Sequence, residues 1–178
     1  QFWIDGLPEQ ARMFGLPVRA LHVYRRKAAT FTVRVASTVS MVDLSGPDIS
    51  AAETVTVLND LCLMAPGALL DPRLTWTEAH DRAARVTFAN GPHQVSATLE
   101  FNDDDELTGF WSDDRPDSSS GKFVPMRWST PITEHCDVDG MHLLHRGGAV
   151  YERPDGPFMY GDFTLSSIQF DVEGPTPA

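Results

Sequence analysis

The sequence predicts a mainly β fold, in which an antiparallel sheet curves into a half-barrel or open barrel and one helix caps it. Stretches of alternating apolar and polar residues recur along most of the chain, as in strands that bury one face. Turn-forming combinations of Gly, Pro, Asn and Asp separate them. One long helical pattern, at about residues 50–65, interrupts them. We therefore expect about nine or ten strands, and a sheet of that size tends to curl.

The N-terminal part is predicted to hold an irregular lead-in and a β-hairpin. Gly and Pro recur in residues 1–16, which we take as the lead-in. Residues 18–26 and 31–35 alternate as strands, and the basic turn between them is a solvated hairpin tip. Residues 38–43 continue in extended form before a Ser-Gly-Pro-Asp turn.

The predicted helix has a start signal, a stop signal and two unlike sides. Ser50 and Glu53 match a capping box, and Pro66 followed by Gly67 ends the pattern. The apolar residues spread over half the helical wheel and are expected to pack on the sheet. The other half carries Glu53, Thr56, Asn59 and Asp60, with Leu63 as an apolar exception.

The remainder of the chain shows only strand patterns after one more helical turn at residues 67–70. Pro125 and Pro131 interrupt one long strand, and residues 116–121 are expected to be flexible. We expect a frayed tail at residues 174–178. The predicted strands are 74–78, 84–89, 95–101, 107–112, 123–136, 141–152 and 158–172.

Composition and charge limit the partners. The 178 residues, 42% hydrophobic, fit one domain, 1–178. A net charge of −11 opposes binding to nucleic acid or to an anionic membrane. No apolar run approaches the roughly 18 residues that span a bilayer. Cys62 and Cys136 are expected as thiols of a reducing compartment, and no signal peptide is visible, so we expect a cytoplasmic protein. Because the first residue is Gln, we also expect that N-terminal residues are missing.

Several motifs resemble those of a family of uncharacterised bacterial proteins that is frequent in actinobacteria. They include ETVTVLNDLCLMAPGALLDP, FWSDDR, RWSTP and PDGPFMYGDF, and the likeness runs from about Ala11 to Val172. Members usually carry further N-terminal sequence, which implies extra strands. More distantly, the layout is similar to the lipid-carrier half-barrel of lipoprotein chaperones. That likeness implies an apolar ligand cavity.

The first functional hypothesis is that a hydrophobic or amphipathic small molecule binds between the curved sheet and the helix, without a cofactor. Aromatic and polar side chains near strand ends and on the helix are the candidate ligand contacts, although each also fits a purely structural role. They are Asn59, Trp76, Trp111, Arg115, Arg127, Trp128 and Tyr160.

The alternative is a small cofactor-free hydrolase, isomerase or cyclase that uses a carboxylate acid–base pair in the same cavity. Asp60 is one candidate catalytic residue, and Asp113 or Asp114, oriented by Arg115, is the other. Strand alternation allows only one of Asp113 and Asp114 to face inward. A third possibility is an interaction domain with an open sheet edge. The oligomeric state stays open.

The sequence shows no metal or nucleotide motif. It lacks HExxH, CxxC and a glycine-rich phosphate loop. His142 and His145 lie three apart on a predicted strand and should face opposite ways. Ser129 has no recognisable His or Asp partner for nucleophilic catalysis. We therefore expect no metal site and no catalytic triad.

Overall fold

A computed structural model describes residues 12–13, 16–25, 27–35, 39–118 and 122–170. These residues form two antiparallel sheets, of four and seven strands, and a single α-helix. Neither sheet closes on itself within the described part of the chain, so the predicted mainly β, open architecture is confirmed. Most of the predicted lead-in and the tail 174–178 lie outside the described residues.

The N-terminal sheet contains four strands in chain order. β2 and β3 pair without a break from Val18–Val35 to Arg25–Ala28, which confirms the predicted hairpin. Lys27, in the turn between them, has a φ of 67°. The four strands are β1 Arg12–Met13, β2 Leu16–Arg25, β3 Ala28–Val35 and β4 Val39–Ser45.

The second sheet contains seven strands, each paired with its neighbour in sequence. Short turns join most of them, as the Asn-Gly-Pro and Asp-Gly patterns predict. The seven strands are β5 Leu74–His80, β6 Ala83–Asn90, β7 His93–Phe101, β8 Leu107–Ser112, β9 Trp128–Val138, β10 Met141–Arg153 and β11 Gly156–Thr164.

Two predicted strands are shorter in the structure. Residues 125–127, predicted as part of a strand, are irregular, and Asp117 pairs with Val124 in an isolated bridge. Pro125 has no N–H to donate to a ladder. β11 ends at Thr164, well before residue 172. Opposite this point β10 has a bulge. The amide of Leu165, the residue that follows β11, donates to the His145 carbonyl oxygen at 2.7 Å.

The helix α1, Pro47–Met64, begins before the predicted capping box. Gly46 is its N-cap, with a φ of 108° that glycine adopts without strain, and no side chain caps the first turn. Ser50 lies inside the helix, where its hydroxyl donates to the Gly46 carbonyl at 2.7 Å and accepts from the Ala29 amide at 3.0 Å. The capping-box prediction is therefore wrong. The predicted further helical turn is a 3₁₀ helix, Pro66–Leu70.

α1 is buried on more sides than its wheel predicts. Glu53 and Asn59, which we placed on the polar side, are each only 4% exposed, and Leu63 is equally buried. The physical reason is that α1 contacts β3 and β4 of the first sheet as well as β7, β8 and β10 of the second. The prediction from the helical wheel had a single sheet packing against one side of the helix.

The main core lies between α1 and the seven-stranded sheet. Phe88 and Phe110 are fully buried against the apolar side of the helix. Tyr24 of β2 links the layers, because its hydroxyl accepts from Asn90 Nδ2 at 2.8 Å and lies 2.9 Å from Thr54 Oγ1 of α1. No helix among the described residues is long and apolar enough to cross a membrane.

Candidate functional site

Arg115 is the centre of a buried polar cluster beneath α1. It lies in the turn after β8, and its side chain is only 14% exposed. Nε donates to Thr56 Oγ1 at 3.0 Å, Nη2 donates to Glu53 Oε1 at 3.2 Å, and Nη1 donates to the Tyr151 hydroxyl. The guanidinium also lies 4.7 Å from the centre of the Trp128 ring. One cation therefore joins α1, β9 and β10. We call these five residues the Arg115 cluster.

Two carboxyl groups of α1 lie in the field of this cation. Glu53 is paired with Arg115, as a charge removed from water must be. Asp60 is partly buried, and this burial, with the nearby Glu53 charge, raises its pKa from 3.8 to about 7, while Arg115 acts in the opposite direction. A carboxyl group with such a pKa can exchange a proton near neutral pH, which is the property a general acid or base requires.

An aromatic contact connects the Arg115 cluster to the edge of the sheet. The rings of Tyr151 and Tyr160 stack with centroids 5.3 Å apart, and Trp128 Nε1 donates to the Tyr160 hydroxyl at 2.9 Å. Burial raises the pKa of the Tyr151 phenol, whose hydroxyl donates to the Pro116 carbonyl at 3.2 Å. Tyr160 on β11 is 47% exposed, so the cluster reaches the surface at this edge.

Asn59, the remaining predicted residue on the helix, is held by β9. Its Nδ2 donates to Thr130 Oγ1 at 3.1 Å, and both residues are buried. The bond crosses from the helix to the same face of β9 that carries Trp128. The structure thus places Asn59, Asp60, Arg115, Trp128 and Tyr160 on one side of the seven-stranded sheet, around the helix.

Other predicted residues lie on the opposite face of that sheet. Arg127 lies 3.8 Å from the centre of the Trp111 ring and donates to both carboxylate oxygens of Asp113 at 3.0 and 3.1 Å. These three side chains line an outer groove of about 670 Å³. Asp114 accepts a hydrogen bond from the Ser96 amide at 2.7 Å. The structure therefore brings neither Asp113 nor Asp114 to Asp60, because β8 turns Trp111 and Asp113 away from the helix.

A second cavity lies at the C-terminal end of α1, and we call it the end pocket. It has a volume of about 470 Å³ and separates the end of the helix and the 3₁₀ helix from the sheet. Trp76, predicted as a ligand contact, is part of its wall. The wall is Cys62, Leu63, Pro66, Leu69, Trp76, Leu99, Phe101, Leu107, Ile132 and Leu144, and the polar rim is Asp104, Asp105, Glu106, His135 and His142.

The rim residues were not among the predicted sites, and for His135 the cause is a β-bulge. In a regular strand His135 would face away from Ile132, because they lie three residues apart. Register shifts between Leu144 and Gly147 leave one residue unmatched on each strand of the β9–β10 pair. Both Ile132 and His135 consequently line the end pocket. The Asp-Gly pair at residues 139–140 was the available signal, because a two-residue hairpin turn there places Asp137 opposite His142.

Fold and cavities together define a mainly β protein with a pocket of small-molecule size and a separate buried polar cluster. The chain matches a family of unknown function, DUF6544, over residues 9–163 and belongs to that family. Membership of an uncharacterised family is thus confirmed. No curated protein and no solved structure matches the chain. The more distant likeness to lipid-carrier half-barrels stays a prediction.

Proposed function

We propose that the protein binds a hydrophobic or amphipathic small molecule in the end pocket. The observation that carries this proposal is the volume of about 470 Å³ between helix and sheet. Small-molecule sites generally enclose about 300–1,000 Å³ and combine an apolar wall with a few polar groups. The end pocket has both features, and its polar groups are gathered at the rim.

The division of the pocket into wall and rim favours an amphipathic ligand. Leu63 and Leu99 are 4% and 1% exposed and close the inner end of the pocket, whereas Trp76, 42% exposed, offers apolar surface to a ligand. Transferring a methylene group from water to such a wall contributes about 0.8 kcal/mol. Asp104 and Asp105 are exposed at the rim and disfavour an anionic head group. A neutral or cationic head with an apolar body fits this arrangement best.

Two measurements test the proposal. Native mass spectrometry of protein that has been purified without refolding should detect a bound small molecule. Nile red, an uncharged probe chosen because the protein carries a net charge of −11, should bind with increased fluorescence.

A matched pair of variants locates the binding. Leu107 lines the end pocket, whereas the next residue, Thr108, lines the outer groove on the other face of β8. Leu107→Trp should fill the pocket and abolish Nile red binding, and Thr108→Trp should leave it unchanged. Equal binding by both variants, at equal folded content by circular dichroism, would overturn the proposal.

A second candidate function is acid–base catalysis by Asp60, which its raised pKa beside the Arg115–Glu53 pair favours. In this form the hydrolase or isomerase hypothesis no longer needs Asp113 or Asp114. A panel of activated esters and enolisable ketones would be assayed with wild-type protein and Asp60→Asn. Turnover should be lost in Asp60→Asn and retained in Asp114→Asn. Turnover that survives Asp60→Asn would exclude Asp60 as the catalytic base.

A further inference from the structure

We propose that Glu106, His135 and His142 form a binding site for a divalent transition-metal ion of the zinc class at the rim of the end pocket. The site is independent of the proposed organic ligand and goes beyond it. It rests on three observations: the convergence of the ligand atoms, the hydrogen bonds that orient them, and the charge around them.

The three side chains bring their ligand atoms close together. One ligand atom from each residue lies within 4.8 Å of the others, and Glu106 Oε1 is 3.1 Å from His142 Nε2. In a tetrahedral zinc site with bonds of about 2.0–2.1 Å, neighbouring ligand atoms are about 3.4 Å apart. The Glu106–His142 pair is already close to this spacing, and closing the two edges that involve His135, each at most 4.8 Å, requires a movement on the order of 1 Å.

Each of the three side chains is held by a hydrogen bond to a neighbouring group. His142 Nδ1 lies 2.7 Å from Asp137 Oδ1, and donation there leaves the Nε2 lone pair facing Glu106. His135 Nε2 lies 2.9 Å from the Leu107 carbonyl oxygen, so donation there leaves Nδ1 free to bind a metal. Glu106 Oε2 accepts from Asn102 Nδ2 at 2.7 Å, which directs Oε1 towards His142. Carboxylate and carbonyl partners of this kind orient the ligands of metal sites and fix the histidine tautomer.

The fold brings these ligands together from two places. His142 and Asp137 are direct partners across the β9–β10 hairpin, and the bulge described above turns His135 to the same face. The rings of His135 and His142 stack with centroids 4.9 Å apart and planes 17° from parallel, so one ring must rotate out of the stack before both nitrogen lone pairs can meet one ion. Glu106 arrives from the β7–β8 loop, where its amide donates to Asn102 Oδ1 at 2.9 Å. The site therefore stands on a hairpin and a hydrogen-bonded turn.

Charge and composition specify the class of ion. Two imidazoles and one carboxylate are a common zinc ligand set and leave a coordination position open. Asp104 and Asp105 add negative charge at the rim, although Arg82 lies 3.9 Å from Asp105. All three ligands also line the end pocket, so the open position adjoins the cavity.

The competing explanation is that a protonated His142 simply pairs with Glu106 and Asp137. Metal binding separates the two explanations. Chelator-treated protein, free of organic ligand, would be titrated with Zn²⁺ by calorimetry and with Co²⁺ by visible absorption. We expect one ion per chain and the intense Co²⁺ bands of four-coordinate geometry.

Single isosteric variants assign the ligands. His135→Gln, His142→Gln and Glu106→Gln should each weaken Zn²⁺ binding, and Asp137→Asn should weaken it by about 10–100-fold through orientation alone. His145→Gln is the matched control, since His145 lies on the same strand but outside the rim, and it should bind as wild type. Absence of Zn²⁺ binding by wild-type protein would overturn the proposal. Binding that is unaffected by His135→Gln and His142→Gln would do the same, because it would place the ion on exposed carboxylates.

Discussion

Replacing Asp60 by asparagine should stabilise the protein in alkaline solution and have little effect in acid. The pKa of Asp60 is raised from 3.8 to about 7, mainly by burial. Between these values the native state holds a proton that the unfolded chain has released, so the free energy of unfolding falls as the pH rises. Above about pH 7 the native state also ionises and the loss is complete.

The magnitude follows from the size of the shift. A rise of about three pKa units, at about 1.36 kcal/mol for each unit, corresponds to a loss of about 4 kcal/mol between acid and alkaline solution. Asparagine resembles the protonated aspartic acid and carries no charge at any pH. The difference between Asp60→Asn and wild type should therefore grow from less than about 1 kcal/mol near pH 4 to about 4 kcal/mol above pH 7.

Urea denaturation followed by tryptophan fluorescence measures this difference at about pH 4 and about pH 8.5. Asp155→Asn, in the exposed turn between β10 and β11, is the control for a generic loss of one negative charge and should show no such growth. The reasoning is refuted if the effect of Asp60→Asn is independent of pH, or if carboxyl NMR shows Asp60 titrating near pH 4.

Three further predictions concern stability and use the same urea assay. Arg115→Ala should cost about 3–5 kcal/mol because it leaves a buried carboxylate without its cation, whereas Arg127→Ala, at an exposed ion pair, should cost about 1 kcal/mol or less. Thr130→Val removes the acceptor of the buried Asn59 amide and should cost about 1–3 kcal/mol, and a double-mutant cycle with Asn59→Ala should show the coupling. Gly147→Ala should destabilise, because the new Cβ would lie 2.9 Å from a backbone carbonyl oxygen of β9.

The order and type of most elements could be predicted from local patterns. Alternation and turn residues identified the strands of the seven-stranded sheet because each strand there pairs with its sequence neighbour. The start of the helix was misplaced because Ser50 and Glu53 form bonds that no local pattern contains, to Ala29 and to Arg115. These long-range partners occupy the two side chains that a capping box would need, so the capping box does not form.

The candidate site residues also divide into those that a local pattern reveals and those that depend on distant contacts. Residues on the helix, such as Asn59 and Asp60, could be proposed as candidates because a polar side chain within a helical pattern is visible locally. Which of Asp113 and Asp114 faces inward was left open, because the ion-pair partner of Asp113, Arg127, lies on a distant segment. His135 was missed because a single bulge reverses strand alternation, and a bulge leaves little trace in composition.

The burial of α1 between two sheets has a consequence for the uniqueness of the fold. Apolar contacts have no preferred direction, so a helix enclosed by them alone could settle at several rotations about its axis. Directional bonds fix three sides of α1: Tyr24 at Thr54, Thr130 at Asn59, and Arg115 at Glu53. If α1 rotated about its axis by one residue position, about 100°, all three hydrogen bonds would break at once. The polar groups around α1 thus favour one rotation of the helix, which apolar contacts alone would distinguish less sharply.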